Sequence, residues 1–160
     1  MRRAGNFRLA SLVILLGSSA LLGGALAFQY LGGLAPCELC IWQRWAHGAA
    51  IAGALAGVMV PRPIATLGLV IGILGLLSGV GIAIFHVGVE QEWWQGLASC
   101  GASGAQAASV DELLAAVEAA PVIRCGDVAW SLFGLSMAAW NAVASAALAI
   151  VAVVIARRRG

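Results

Sequence analysis

Residues 64–87 read IATLGLVIGILGLLSGVGIAIFHV, 24 consecutive positions without an Asp, Glu, Lys or Arg. At about 1.5 Å of rise per residue a helix of that length measures about 36 Å, enough to cross a hydrocarbon core of roughly 30 Å. Reading outward from this run, three more stretches qualify as spans, 9–31, 41–60 and 131–156. The whole chain agrees with them: of its 160 residues 62% are hydrophobic and only 10% charged, with a mean hydropathy of +0.98. Soluble proteins average about 45–50% apolar and about 25% charged residues, so a soluble globular domain is excluded. The expected fold is all-α, an integral membrane four-helix bundle forming a single domain over residues 1–160, with two extracytoplasmic loops.

The charges support the same division. Nine are Arg and seven are Asp or Glu, and only Arg44 lies within a span. Arg2, Arg3 and Arg8 precede the first span, Arg62 sits between the second and third, and Arg157, Arg158 and Arg159 follow the fourth. Cytoplasmic flanks carry the Arg and Lys excess, so both termini and the Arg62 turn are expected inside. The outer loops, 32–40 and 88–130, then hold all seven acids and only Arg124. With a net charge of +2 and its Arg in small flanking clusters, the chain lacks the basic stripe of a nucleic-acid binder. Ala25-Leu26-Ala27 imitates a signal-peptide cleavage site. The apolar run before it, however, extends over 9–31, beyond the 7–15 residues of a signal core, and is expected to remain as a span.

Small residues in the spans, among them Gly72, Gly75, Ser78, Gly79, Ala138, Ala142, Ser145 and Ala146, suit close helix packing in lipid. In the second outer loop Ser109-Val110-Asp111-Glu112 fits a capping box. Val110, Leu113, Leu114 and Val117 then repeat at helical spacing up to Pro121. A short surface helix is expected there, lying on the membrane or on its own bundle.

The chemistry is carried by Cys37, Cys40, Cys100 and Cys125, the only cysteines. All four fall on the side assigned to the exterior, where disulfides persist. Cys37 and Cys40 form a CxxC motif directly before the second span, and Cys100 and Cys125 frame the surface-helix segment. A four-thiolate zinc site would use two knuckle-spaced pairs, and only one pair has that spacing, so no metal is expected. Bracing disulfides explain Cys100 and Cys125 well. They explain Cys37 and Cys40 badly, because a two-residue spacing closes almost no chain entropy. CxxC is instead the spacing of thiol exchange.

Cys40, Gln43, Arg44 and His47 follow at i, i+3, i+4 and i+7 on one helix face. The positive end of that helix and the Arg44 guanidinium both favour a thiolate at Cys40. An intramembrane charge marks a functional site, here one suited to a lipid-soluble oxidant. His86, about 33 Å along the third span, is expected at the outer interface within reach of the same ligand. His47 is expected to hydrogen-bond to a neighbouring helix.

The stretch Cys37–Arg44, CELCIWQR, together with the four spans, the second-loop Cys pair and CGDVAWSLFGLSMAAW at 125–140, resembles the disulfide-bond formation protein B (DsbB) family. The resemblance covers essentially the whole chain. Ala138 departs from it, standing where the family often has Pro. The resemblance implies a protein disulfide:quinone oxidoreductase of the bacterial inner membrane, acting on a periplasmic thioredoxin-fold dithiol oxidase and drawing on the membrane quinone pool, with ubiquinone or menaquinone as acceptor. It implies that Cys37, Cys40, Cys100 and Cys125 are catalytic, the partner attacking a Cys100–Cys125 disulfide and Cys125 exchanging with Cys37. Arg44, with His86 and Gln43, would hold the quinone. A tetraspan scaffold with structural disulfides is the alternative. A transporter is disfavoured because no span beyond the second carries an ionisable residue in its middle.

Overall fold

The computed structural model describes residues 2–97, 109 and 124–158. Among these, four α-helices run in chain order: α1 Arg2–Tyr30, α2 Glu38–Met59, α3 Ile64–Glu90 and α4 Met137–Arg157. The expected surface helix and Cys100 lie outside the described residues. Three helices are long and apolar enough to cross a membrane, at Gly5–Tyr30, Ile64–Glu90 and Met137–Arg157. The 22-residue α2, which carries Glu38, Gln43, Arg44 and His47, falls short of that measure.

Around the bundle α1 packs on α2 and α4, and α3 packs on the same two helices. The core where all four meet is built of small residues, Ala10, Ala50, Ala54, Ala149 and Ala152, around Ile14, Leu69 and Leu76. Large apolar side chains point outward instead, Leu16, Leu67, Leu74 and Ile150 all being more than half exposed. That inversion of the soluble pattern matches helices that associate by close contact inside lipid. The closest contact is between α2 and α3. A Cβ placed on Gly68 would stand 2.7 Å from the Gly53 carbonyl oxygen and 2.7 Å from the Gly57 nitrogen.

The first turns of α1, the end of α4 and the α2–α3 turn lie together. The Asn6 side-chain amide donates to the Arg158 carbonyl at 2.9 Å, and the Arg62 guanidinium sits 4.2 Å over the Phe7 ring. The opposite end gathers the start of α2, the end of α3 and Cys125. There Cys37, Leu39, Val89 and Cys125 form a second buried cluster.

At two boundaries next to the cysteines the helices differ from the expected spans. Residues 131–136, assigned to the fourth span, form a two-residue antiparallel ladder, β1 Ser131–Leu132 with β2 Leu135–Ser136, which also qualifies the all-α reading. Phe133 and Gly134 both have positive φ, 52° and 77°, the geometry of a tight hairpin turn. Ser136 then caps α4 by accepting from the Ala139 N–H, so the helix starts six residues later. The second difference is the start of α2 at Glu38, with Cys37 rather than Cys40 at its mouth.

Candidate functional site

Cys37 occupies the N-cap of α2, and its sulfur accepts the Cys40 backbone N–H at 3.2 Å. Sulfur here replaces the side-chain oxygen that normally serves the orphan donors of a first turn. The cap folds the CxxC so that the Cys37 thiol donates to the Cys40 sulfur at 2.8 Å. Cys37 and Cys40 are free thiols, and they are not equivalent. The hydrogen bond from Cys37, with a smaller contribution from the Arg44 guanidinium, holds the Cys40 thiol down to about 7 against the opposing effect of burial. The same hydrogen bond, together with burial, pushes Cys37 well above the thiol range. Cys37 is buried while Cys40 is only partly so. Of the two, Cys40 is the thiol that ionises more readily.

Cys125 lies beside this pair, 2% exposed and disulfide-bonded. His86 joins the two, its Nε2 standing 3.6 Å from the Cys37 sulfur and 3.2 Å from the Cys125 carbonyl oxygen. A chain of amides fixes which ring nitrogen bears the proton. Gln43 Nε2 donates to the Leu39 carbonyl at 3.2 Å and to His86 Nδ1 at 3.0 Å, and Gln43 Oε1 accepts from Asn141 Nδ2 at 2.6 Å. With Nδ1 an acceptor, Nε2 is the donor. His86 thus presents an N–H to Cys37 and Cys125. Glu90 Oε1 lies 3.8 Å from the same nitrogen, and Ser136 Oγ donates to the other Glu90 oxygen.

Arg44 is held by α1. Its guanidinium donates to the Gln29 side chain and, at 3.2 Å, to the Ala25 carbonyl of α1. These bonds keep a cation inside the bundle on the wall of a cavity of about 370 Å³. Cys37, Cys40, Gln43, Arg44, His47 and His86 all line that cavity, with Phe28, Trp130, Met137 and Trp140 supplying apolar surface. Its mostly apolar walls and few convergent polar groups are those of a small-molecule site.

Of the residues singled out from sequence, the structure brings together Cys37, Cys40, Gln43, Arg44, His86 and Cys125; Cys100 lies outside the described residues. His86 is buried, at 4% exposure. His47 bonds across to α4, Nε2 lying 2.8 Å from Asn141 Oδ1. The sequence reading missed Asn141, Gln29 and Glu90. Asn141 was findable, since an uncompensated amide within an apolar span requires a partner. Gln29 was not, because nothing in its own segment points to Arg44. The Sγ atoms of Cys37 and Cys40 and a ring nitrogen of His86 lie within 4.8 Å of one another. That is three donors, where a closed structural zinc site takes four.

The geometry defines a class: a helical membrane protein with an unsymmetrical dithiol between a second cysteine and an apolar cavity. The family model described as "Disulfide bond formation protein DsbB" matches residues 7–155, and the chain belongs to that family. Similar curated proteins are each named Disulfide bond formation protein B. The one from Xanthomonas axonopodis pv. citri is 31% identical over 153 residues, covering 91% of this chain and 87% of the relative. That of Aromatoleum aromaticum is 32% identical, covering 97% and 98%. That of Pasteurella multocida is 35% identical, covering 81% and 75%.

Proposed function

We propose that this protein oxidises a periplasmic thioredoxin-fold dithiol protein and delivers the electrons to a membrane quinone, from a bacterial inner membrane with both termini cytoplasmic. The observation that carries the reading is the placing of the low-pKa Cys40 and the Arg44 cation on one apolar cavity. A quinone ring fits the donor set there: Arg44 offers fixed N–H donors to a carbonyl oxygen, and the aromatic and aliphatic walls suit the ring.

In this reading the partner thiolate attacks a Cys100–Cys125 disulfide at Cys100, and the partner's second thiol resolves the mixed disulfide, leaving both loop cysteines reduced. Cys125 attacks Cys37 of a Cys37–Cys40 disulfide, and Cys40 leaves as a thiolate. Cys100 then displaces Cys37 from Cys125, which restores the loop disulfide and leaves Cys37 and Cys40 reduced. Burial of Cys37 against Cys125 suits this division, since only Cys40 needs access to the cavity. The His86 N–H stabilises negative charge developing on the Cys37 sulfur during exchange. Arg44 and the start of α2 stabilise the Cys40 thiolate. A bound quinone supplies the two-electron, two-proton acceptor, becoming hydroquinone as Cys37 and Cys40 return to the disulfide.

The test is anaerobic steady-state oxidation of a reduced thioredoxin-fold dithiol protein by the purified membrane protein, with ubiquinone-1 or a short-chain menaquinone added. Turnover that saturates with quinone is expected. Thiols that persist with either quinone leave a scaffold braced by disulfides.

A further inference from the structure

His47 is unused by the account above, although it lies on the same cavity. It is 4% exposed, and it shares a face of α2 with Arg44 one turn nearer the cysteines. Its tautomer is set by its neighbours. Asn141 spends its amide N–H on Gln43 Oε1 at 2.6 Å, so Asn141 Oδ1 faces His47 as an acceptor, at 2.8 Å from Nε2. Ser145 Oγ donates to the same oxygen at 3.4 Å. His47 Nε2 therefore carries the proton, and Nδ1 is a bare lone pair. That atom is buried and has no hydrogen-bond partner among the described residues. Buried polar atoms are nearly always paired, and this side chain lines a cavity sized for a ligand.

We infer that His47 Nδ1 accepts a hydrogen bond from a hydroxyl of the reduced ligand. The inference rests on the reading of the cavity as a quinone site. An oxidised quinone presents only carbonyl acceptors, which a bare lone pair cannot engage. After reduction both ring oxygens are hydroxyls, the two protons matching those lost by the two thiols as the Cys37–Cys40 disulfide forms. His47 thus separates the two redox forms: it favours hydroquinone and leaves quinone to Arg44.

The experiment measures binding of ubiquinone-1 by quenching of tryptophan fluorescence, to which Trp130 and Trp140 on the cavity wall contribute, and of ubiquinol-1 by anaerobic competition. His47→Leu removes the acceptor and the link to Asn141; His47→Asn restores an oxygen near the Nδ1 position without the link. Ubiquinol-1 affinity is expected to fall about three- to tenfold in His47→Leu, the worth of one hydrogen bond, with ubiquinone-1 affinity changed less. His47→Asn should recover ubiquinol-1 binding to within about twofold of the parent. Equal loss of both ligands, equal weakness of both variants, or parental ubiquinol-1 binding in His47→Leu would each overturn the inference while leaving the quinone site standing. A parent protein that binds neither ligand overturns both.

Discussion

At the scale of single residues the site depends on an inequality between two cysteines three positions apart. Capping by Cys37 sulfur points its thiol at Cys40, and Arg44 adds a positive charge that α1 holds in place. Arg44→Met is expected to raise the quinone concentration needed for half-maximal turnover roughly tenfold or more, the range for losing a charged hydrogen-bond donor. Arg44→Lys should fall between, keeping charge but losing the planar fork. Alkylation of Cys40 should follow a midpoint near pH 7 in the parent. A lowered thiol pKa means the reactive form exists above that midpoint and is lost below it. Removing the cation therefore moves the midpoint upward, and an unmoved midpoint in Arg44→Met would show that Arg44 does not act on Cys40. The cysteine pairs separate in the same way. Cys100→Ser should abolish oxidation of the partner while the Cys37–Cys40 dithiol still reduces added quinone; Cys37→Ser should leave electrons held in the second loop. A Cys100→Ser protein whose CxxC no longer reacts with quinone would contradict that division. Much of this was legible in the sequence, because CxxC, Arg44 and the i, i+3, i+4, i+7 stripe are local patterns. The proton positions on His86 and His47 were not. They depend on Gln43 and Asn141 amides contributed by different helices, which no spacing rule reveals.

At the scale of elements, boundaries were less legible than existence. The apolar run from 131 hid a hairpin, since Ser131–Ser136 is hydrophobic enough for a span and only the Phe133–Gly134 turn and the Ser136 cap break it. The start of α2 was misplaced because Cys is a rare cap, and its role follows from the sulfur reaching the Cys40 N–H. At the end of α3 Trp94 stacks on Phe85 with ring centroids 5.8 Å apart and donates to the Phe85 carbonyl at 2.9 Å. That contact requires Gly88, whose added Cβ would fall 2.0 Å from the Trp94 ring. Packing of α2 on α3 gives a direct comparison between glycines. Gly68→Ala, meeting backbone at 2.7 Å, is expected to destabilise the detergent-solubilised protein by about 1–3 kcal/mol. Gly81→Ala meets nothing within 4 Å and should leave the thermal midpoint unchanged or slightly raised. Equal midpoints for the two variants would contradict the close α2–α3 contact.

At the scale of the whole molecule the arginines and the fold agree on one arrangement. The Arg62 turn, the start of α1 and the end of α4 lie at one end, and the dithiol, His86 and Cys125 at the other. With the positive end inward, an impermeant thiol reagent applied to intact cells after reduction should label the native cysteines. A cysteine placed at Arg62 in a variant lacking the native four should stay unlabelled. Labelling at 62 would invert the orientation. The central claim, that electrons pass from the Cys37–Cys40 dithiol to a quinone in the adjoining cavity, is tested most directly by single turnover. The protein is prepared with Cys37 and Cys40 reduced, freed of quinone, and mixed anaerobically with ubiquinone-1 in the presence of a metal chelator while free thiols and hydroquinone are counted. The account predicts the loss of two thiols per chain with one hydroquinone formed, slowed in Arg44→Met at low quinone. Thiols that persist at saturating quinone, or thiol loss without hydroquinone, would contradict it.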